Sequence, residues 1–130
     1  MVYGFDLDGT LDRPQLANLA NLLFDLGFQV HVITAHAIGV AGYYATREAK
    51  EKKMEKLGVN YTKLHLCSGH TYSEVGMDKA RVIREEGIDI MFDDSTTFCN
   101  VMSELTEAVI MRVREPNDRR FKGVSGNART

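Results

Sequence analysis

The stretch Val2-Tyr3-Gly4-Phe5-Asp6-Leu7-Asp8-Gly9-Thr10-Leu11 decides how this chain is read. It begins as a short apolar run of strand character and ends in two acids two residues apart. Carboxylates that close repel each other unless a cation or a proton stands between them. Gly9 supplies turn geometry directly after them, so the acids fall where a strand gives way to a loop.

Working outward, the punctuation alternates between strands and helices. Pro14 to Leu26 carries Leu16, Leu19, Ala20 and Leu23 at helical spacing, with Pro14 near the start and Gly27 just past the end. Phe28 to Thr34 reads as a second strand, rich in valine and isoleucine. A charged helix should end near Leu57-Gly58, its exposed face written in Glu48, Lys50, Glu51, Lys52 and Lys56. Its start is blurred by Gly39 and Gly42. Tyr61 to Cys67 is a third strand, Asp78 to Glu86 a short helix, and Ile88 to Phe92 a fourth strand. Phe98, Val101, Met102 and Leu105 fall at i, i+3, i+4 and i+7 of a further helix, and Ala108 to Val113 supplies a fifth strand. Residues 1–114 thus form the domain. The polar segment 115–130, with Arg119, Arg120 and Lys122, is expected to be a mobile or partly docked tail.

Strands alternating with helices imply crossover connections, a mainly parallel sheet and helices on both faces. Ligands of such sheets sit beyond the carboxyl ends of the strands. The residues expected there are Asp6 and Asp8, Thr34, Cys67 to His70, and Asp93 with Asp94. Acid at two strand ends calls for magnesium, a hard cation that bridges carboxylates and phosphate oxygens. A phosphate dianion would also need a lysine and a hydroxyl, and Lys79 and Thr34 are placed to supply them.

Composition sets the frame for that reading. At 130 residues the chain is long enough for one domain with its own core. The net charge of −2 provides no global basic field for nucleic acid or anionic lipid. Two cysteines, Cys67 and Cys99, are not a disulfide framework, and no apolar run approaches the roughly 20 residues of a membrane span. With strand-like residues from Val2 onward and no basic, apolar leader, the expected location is the cytoplasm.

The run Asp6-Leu7-Asp8-Gly9-Thr10-Leu11 resembles the first signature of the haloacid dehalogenase superfamily. Val32-Ile33-Thr34 resembles the second, an apolar strand ending in Ser or Thr. Lys79, opening a helix upstream of the fourth strand, resembles the third. Ile90-Met91-Phe92-Asp93-Asp94 resembles the fourth in its paired-acid form. The resemblance covers Val2 to Val113 and implies an α/β fold of three-layer Rossmann-like type. Its five-stranded, mainly parallel sheet would have the order 5-4-1-2-3, with no substantial cap domain.

It also implies a magnesium-dependent phosphatase. Asp6 would be the nucleophile that forms an aspartyl phosphate, and Asp8 the general acid and base. Thr34 and Lys79 would hold the transferred group, with the backbone amides of Leu7 and Asp8 and the neighbouring Ala35 completing the phosphate cradle. Magnesium would be held by Asp6, the Asp8 carbonyl, Asp94 directly and Asp93 behind it, with the reverse order of the two acids as the alternative. An acid at position 8 marks phosphatases and phosphomutases within the superfamily.

Without a cap, the open site suits a macromolecular end or, with a neighbouring subunit closing it, a small phosphorylated molecule. Nucleic acid remains a candidate substrate that charge does not support. Rim positions are expected at His36, His70 and Tyr72, with Tyr43 and Tyr44 in a similar part. A metal site of His65, Cys67 and His70 is disfavoured against surface and core roles, and His31 reads as structural. A calcium loop fails because Leu11 and Ala17 stand where glycine and glutamate are required. No P-loop run exists. A receiver domain would place its acid pair before the phosphorylated aspartate, the wrong order here. The alternatives are a non-catalytic phosphate- or partner-binding module on the same fold and a phosphotransferase.

Overall fold

The computed structural model describes residues 1–39 and 42–114. The expected tail, with Arg119, Arg120 and Lys122, lies outside the described residues.

The elements in chain order are β1 (Val2–Phe5), a tight turn of π-helical type (Leu7–Leu11), α1 (Pro14–Asp25), β2 (Gln29–Ile38), β3 (Tyr43–Tyr44) and α2 (Arg47–Leu57). There follow β4 (Lys63–Gly69), α3 (Tyr72–Glu86), β5 (Ile90–Asp93), α4 (Thr96–Leu105) and β6 (Val109–Arg112). The parallel strands lie in the order β6-β5-β1-β2-β4, which is the order 5-4-1-2-3 expected for the five long strands. One short strand is additional. β3 pairs antiparallel with the far end of β2, Ala37 facing Tyr44 and Ile38 facing Tyr43.

Alternation along the strands splits the core into two layers. Phe5, Val30, Val32 and Leu64 face α1 and α2, where Ala17, Ala20 and Met54 cover them. Ile33, Cys67 and Met91 face the other way, against Val75, Ile83, Phe98 and Met102 of α3 and α4. Helices on both faces shield a parallel sheet that would otherwise expose apolar surface. Gly76 lets α3 and α4 close on one another, since a Cβ there would stand 3.0 Å from the Cβ of Val101.

One helix start corrects the sequence reading, and a second settles what it left open. α3 begins at Tyr72, not Asp78, so Lys79 sits in mid-helix and does not open it. Thr71 caps the helix by accepting from Glu74 N, and the Glu74 carboxylate reaches back to His70 N. This reciprocal arrangement offsets the weakness of Gly76. α2 starts at Arg47 under the cap of Thr46, whose hydroxyl accepts from Ala49 N at 3.0 Å. Lys50, expected on the solvated face of α2, is instead only 3% exposed. Among the described residues, no helix is long and apolar enough to cross a membrane.

Candidate active site

β1 and β5 run parallel with Phe5 facing Phe92, and the ladder closes with Asp6 N donating to Phe92 O at 2.8 Å. That register places Asp6 beside Asp93 and Asp94 at the carboxyl edge of the sheet. One oxygen of each of these three acids lies within 4.8 Å of the others. Lys79 reaches in from α3, fully buried, donating to Asp6 Oδ1 at 3.0 Å and Asp93 Oδ2 at 2.6 Å. Its ammonium also stands 4.5 Å from the centre of the Phe98 ring, a favourable cation–π position.

The two neighbouring acids are used differently. Both Asp93 oxygens are engaged, one by Lys79 and one by Ser95 N at 3.0 Å. Ser95 in turn caps α4, accepting from Phe98 N. Asp94 instead lines the same cavity as Asp6, with a carboxylate oxygen of each within 4.8 Å of the other.

That cavity has a volume of about 240 Å³ and is walled by Asp6, Asp8, Thr34, Ala35, Ile38, Tyr43, Tyr72, Asp94, Ser95 and Phe98. Thr34 is buried, and its hydroxyl makes only a long 3.5 Å contact with the Ala35 carbonyl, which leaves it available to a ligand. Larger clefts lie elsewhere. The one between the C-terminal ends of α3 and α4, lined by Arg84, Asp89 and Glu107 among others, gathers no comparable set of groups.

Electrostatics explains what the acid cluster needs. Burial pushes the Asp6 carboxyl well above its ordinary value; Lys79 opposes this, and Asp93 and Asp94 reinforce it. Asp94 is raised for the same first reason. Burial alone would drive Lys79 toward its neutral form, but Asp6 and Asp93 outweigh it and raise its pKa. Three acids thus cluster around one buried cation that bonds only two of them, and Asp6 and Asp94 hold protons more tightly than an exposed carboxyl. A hard divalent cation at the Asp6–Asp94 oxygens fits this donor set and this charge deficit.

Asp8 lies in the turn that follows β1. Its backbone is extended, with φ −71° and ψ 124°, and Gly9 follows at φ 83°. Its carboxylate faces α2, accepting from Lys50 at 2.5 Å through Oδ2 and from Lys53 at 2.6 Å through Oδ1. Burial pushes the Asp8 carboxyl up, but the hydrogen bonds from the two lysines outweigh that and hold it below its ordinary value. Sequence patterning gave no sign of either lysine, because the partner lies more than forty residues away in the chain.

The expected rim residues separate. Tyr72 lines the cavity, as does Tyr43. His36 instead pins the chain just after β3, its Nδ1 hydrogen-bonded to Ala45 O at 2.9 Å beside the backbone bond from Ala45 N to His36 O. His70 is exposed, and it is not among the residues lining the cavity. Leu7 is fully buried beneath the turn.

His65, Cys67 and His70 do not converge: among the described residues, no metal-sized cluster contains Cys67 or His70. His65 pairs with buried His31, Nε2 to Nδ1 at 2.9 Å, with the rings 8° from parallel and their centres 5.2 Å apart. The rings meet edge to edge, so each spends a lone pair or N–H direction on the other. Glu86 lies near enough to complete a cluster of metal-binding types. The direct histidine–histidine bond and the Lys63–Glu86 ion pair at 3.3 Å already satisfy these groups. Cys67 and Cys99 are free and buried, and burial pushes both thiols up to about 12, which removes them as nucleophiles.

No protein-family profile matches the chain, and no curated relative matches its sequence. Solved structures do. The chain is similar to a structure of the Pnkp1/Rnl/Hen1 RNA repair complex, with TM-score 0.68 and 18% identity over 88% of this chain and 42% of that one. It therefore spans less than half of that longer protein. It is also similar to the D,D-heptose 1,7-bisphosphate phosphatase of B. bronchiseptica complexed with magnesium and phosphate, with TM-score 0.64, 15% identity, and coverage of 97% and 88%. A universal stress protein family member from Burkholderia pseudomallei matches at TM-score 0.51 and 13% identity, covering 85% and 94%. At these identities the likeness concerns the fold alone, a three-layer Rossmann-like α/β arrangement.

Proposed function

We propose that this chain is a divalent-cation-dependent phosphomonoester hydrolase with Asp6 as nucleophile. The observation that carries the reading is that Asp6, Asp8, Thr34 and Asp94 wall one cavity, while Lys79 binds Asp6 from beneath. A phosphatase with bound magnesium and phosphate among the similar structures supports it.

Each group has a stated task. Lys79 occupies Asp6 Oδ1, leaving Oδ2 to form the bond to phosphorus while the ester P–O bond breaks. Asp8 gives a proton to the departing oxygen. A water oxygen then bonds to phosphorus, the P–O bond to Asp6 breaks, and the water's proton passes to Asp8. The ionised Asp8 described above is the form needed for that second half. The Thr34 hydroxyl and the amides of Leu7 and Asp8, beside Ala35, would hold the phosphoryl oxygens. Asp6, Asp94 and the Asp8 carbonyl would hold the cation, with Asp93 fixed behind them by Lys79. Magnesium suits these hard oxygen donors, and when bound it would neutralise phosphate charge at the acidic pocket.

The substrate class follows from access. Among the described residues, the two-residue strand β3 contributes Tyr43 to the cavity wall and no cap domain covers it. It admits the phosphate end of a small molecule or of a macromolecule, the latter in keeping with the RNA repair complex among the similar structures.

The decisive experiment is turnover of p-nitrophenyl phosphate and of a panel of biological phosphomonoesters in magnesium. Release of inorganic phosphate, abolished by EDTA and reduced at least about a thousand-fold in Asp6→Asn, is expected. Magnesium-saturated protein that turns over no ester on the panel would overturn the reading.

A further inference from the structure

Lys50 is a charged residue of a surface helix whose ammonium is nevertheless shielded from water. Its side chain is 4% exposed, while the Asp8 side chain that it binds is 47% exposed. A lysine tolerates such burial only where fixed partners replace its hydration. Two do so: Asp8 Oδ2 at 2.5 Å and the Tyr43 hydroxyl at 2.7 Å.

The partners are themselves anchored. Tyr43 belongs to β3, which is tied to β2 by strand pairing and, just after β3, by both bonds between His36 and Ala45. Lys50 rides on the first turns of α2, fixed shortly after β3 by the Thr46 cap. Asp8, by contrast, is a half-exposed side chain on a turn, its carboxylate held by the lysines of α2 and by a 3.4 Å contact from the Tyr43 hydroxyl. Lys53 takes its other oxygen but is 36% exposed and divides itself between Asp8 and Asp12, and such exposed pairs hold geometry weakly.

We infer that Lys50 is a positioning residue, which with Tyr43 aims the Asp8 carboxylate at the water that hydrolyses the phosphorylated form of Asp6. The inference rests on the phosphatase reading above. It concerns the second half of the reaction: the water oxygen bonds to phosphorus, the bond from phosphorus to Asp6 breaks, and Asp8 receives the proton. A base must lie within hydrogen-bond reach of the proton that it takes, and a carboxylate free to swing on its turn satisfies that for only part of the time.

The test is stopped-flow hydrolysis of p-nitrophenyl phosphate by wild type, Lys50→Met and Lys50→Arg in saturating magnesium. Met keeps most of the buried stem of Lys50 and removes its charge. Lys50→Met is expected to release one p-nitrophenolate per enzyme in a burst and then turn over about 10- to 100-fold more slowly. KM should fall alongside kcat, so that kcat/KM stays within about three-fold of wild type. Lys50→Arg should recover most of kcat. Loss of kcat/KM together with kcat and without a burst would assign Lys50 a merely structural part and overturn the inference, as would unchanged kcat. Wild-type protein with no turnover would instead remove the phosphatase reading, and this inference with it.

Discussion

Gly9 and Asp94 share one small space: a Cβ built on Gly9 would run into the Asp94 carboxylate. Gly9 also sits at φ 83°, a conformation that costs an L-residue about 1–2 kcal/mol. The turn after β1 and the end of β5 can therefore approach only through a residue without a side chain.

Gly9→Ala should consequently do two separable things. The backbone conformation should lower stability by about 1–2 kcal/mol, seen as a drop in Tm. Displacement of Asp94 should, in addition, remove most of the rise in Tm that magnesium gives the wild type. A variant that loses stability yet keeps the full magnesium response would show that Asp94 can move without cost to the cation site.

Lys79 offers a prediction about the core of the site. It is the buried cation between two acids, 0% exposed itself, with Asp93 equally buried. Removing one partner of a buried pair leaves uncompensated charge and costs about 3–5 kcal/mol. Lys79→Met should be destabilised by that order in chemical denaturation. Adding Asp93→Asn to it should cost less than the sum of the two single changes, because the second removes a charge that the first has orphaned. Strict additivity in this cycle would mean that the pair is not the coupled unit described.

How far the chain could be read without coordinates depends on the range of each interaction. The acids at positions 6, 8, 93 and 94 were readable because each ends an apolar run, and parallel strands bring their carboxyl ends together. The strand order needed only crossover connections and the resemblance. Thr71 and Glu74 stand at capping-box spacing and mark the start of α3 ahead of Asp78. Other features had no local signal. Two tyrosines between Gly42 and Ala45 form no alternating run, and β3 exists because β2 extends to Ile38 and offers it an edge. Lys50 sits in a charged run that spells a solvated face, and only Asp8, forty-two residues earlier, turns it inward.

Magnesium should itself stabilise the protein. A ligand that binds only the folded state adds about 2.7 kcal/mol at a hundred times its Kd. Because burial raises the Asp6 and Asp94 carboxyls above their ordinary value, protons compete with the cation for the same oxygens. The rise in Tm should thus be larger at pH 8 than at pH 5.5. Asp94→Asn should lose it, while Asp89→Asn, at the opposite end of β5, should keep it. An equal magnesium response in the two variants would place the cation elsewhere.

His31 and His65 give the last prediction, and its sign can be worked out. Burial lowers the pKa of both below 6.5; the neighbouring His65 adds to this for His31, while for His65 nearby Lys63 lowers and Glu86 raises it. The folded state therefore binds fewer protons than the unfolded state as pH falls through 6.5. Stability from the neutral pair is fully present above that value and is lost as pH drops toward the folded-state pKa values. Asp6 and Asp94, with raised values, act in the opposite direction, so a single pH profile does not isolate the histidines. The difference between two proteins can. His65→Gln removes one titrating ring and keeps a side chain able to hydrogen-bond His31 Nδ1. Measured between pH 7.5 and pH 5, wild type should lose more Tm than this variant, since the acid contributions cancel in the comparison. Parallel profiles would mean that the histidine bond between β2 and β4 carries no proton-linked stability.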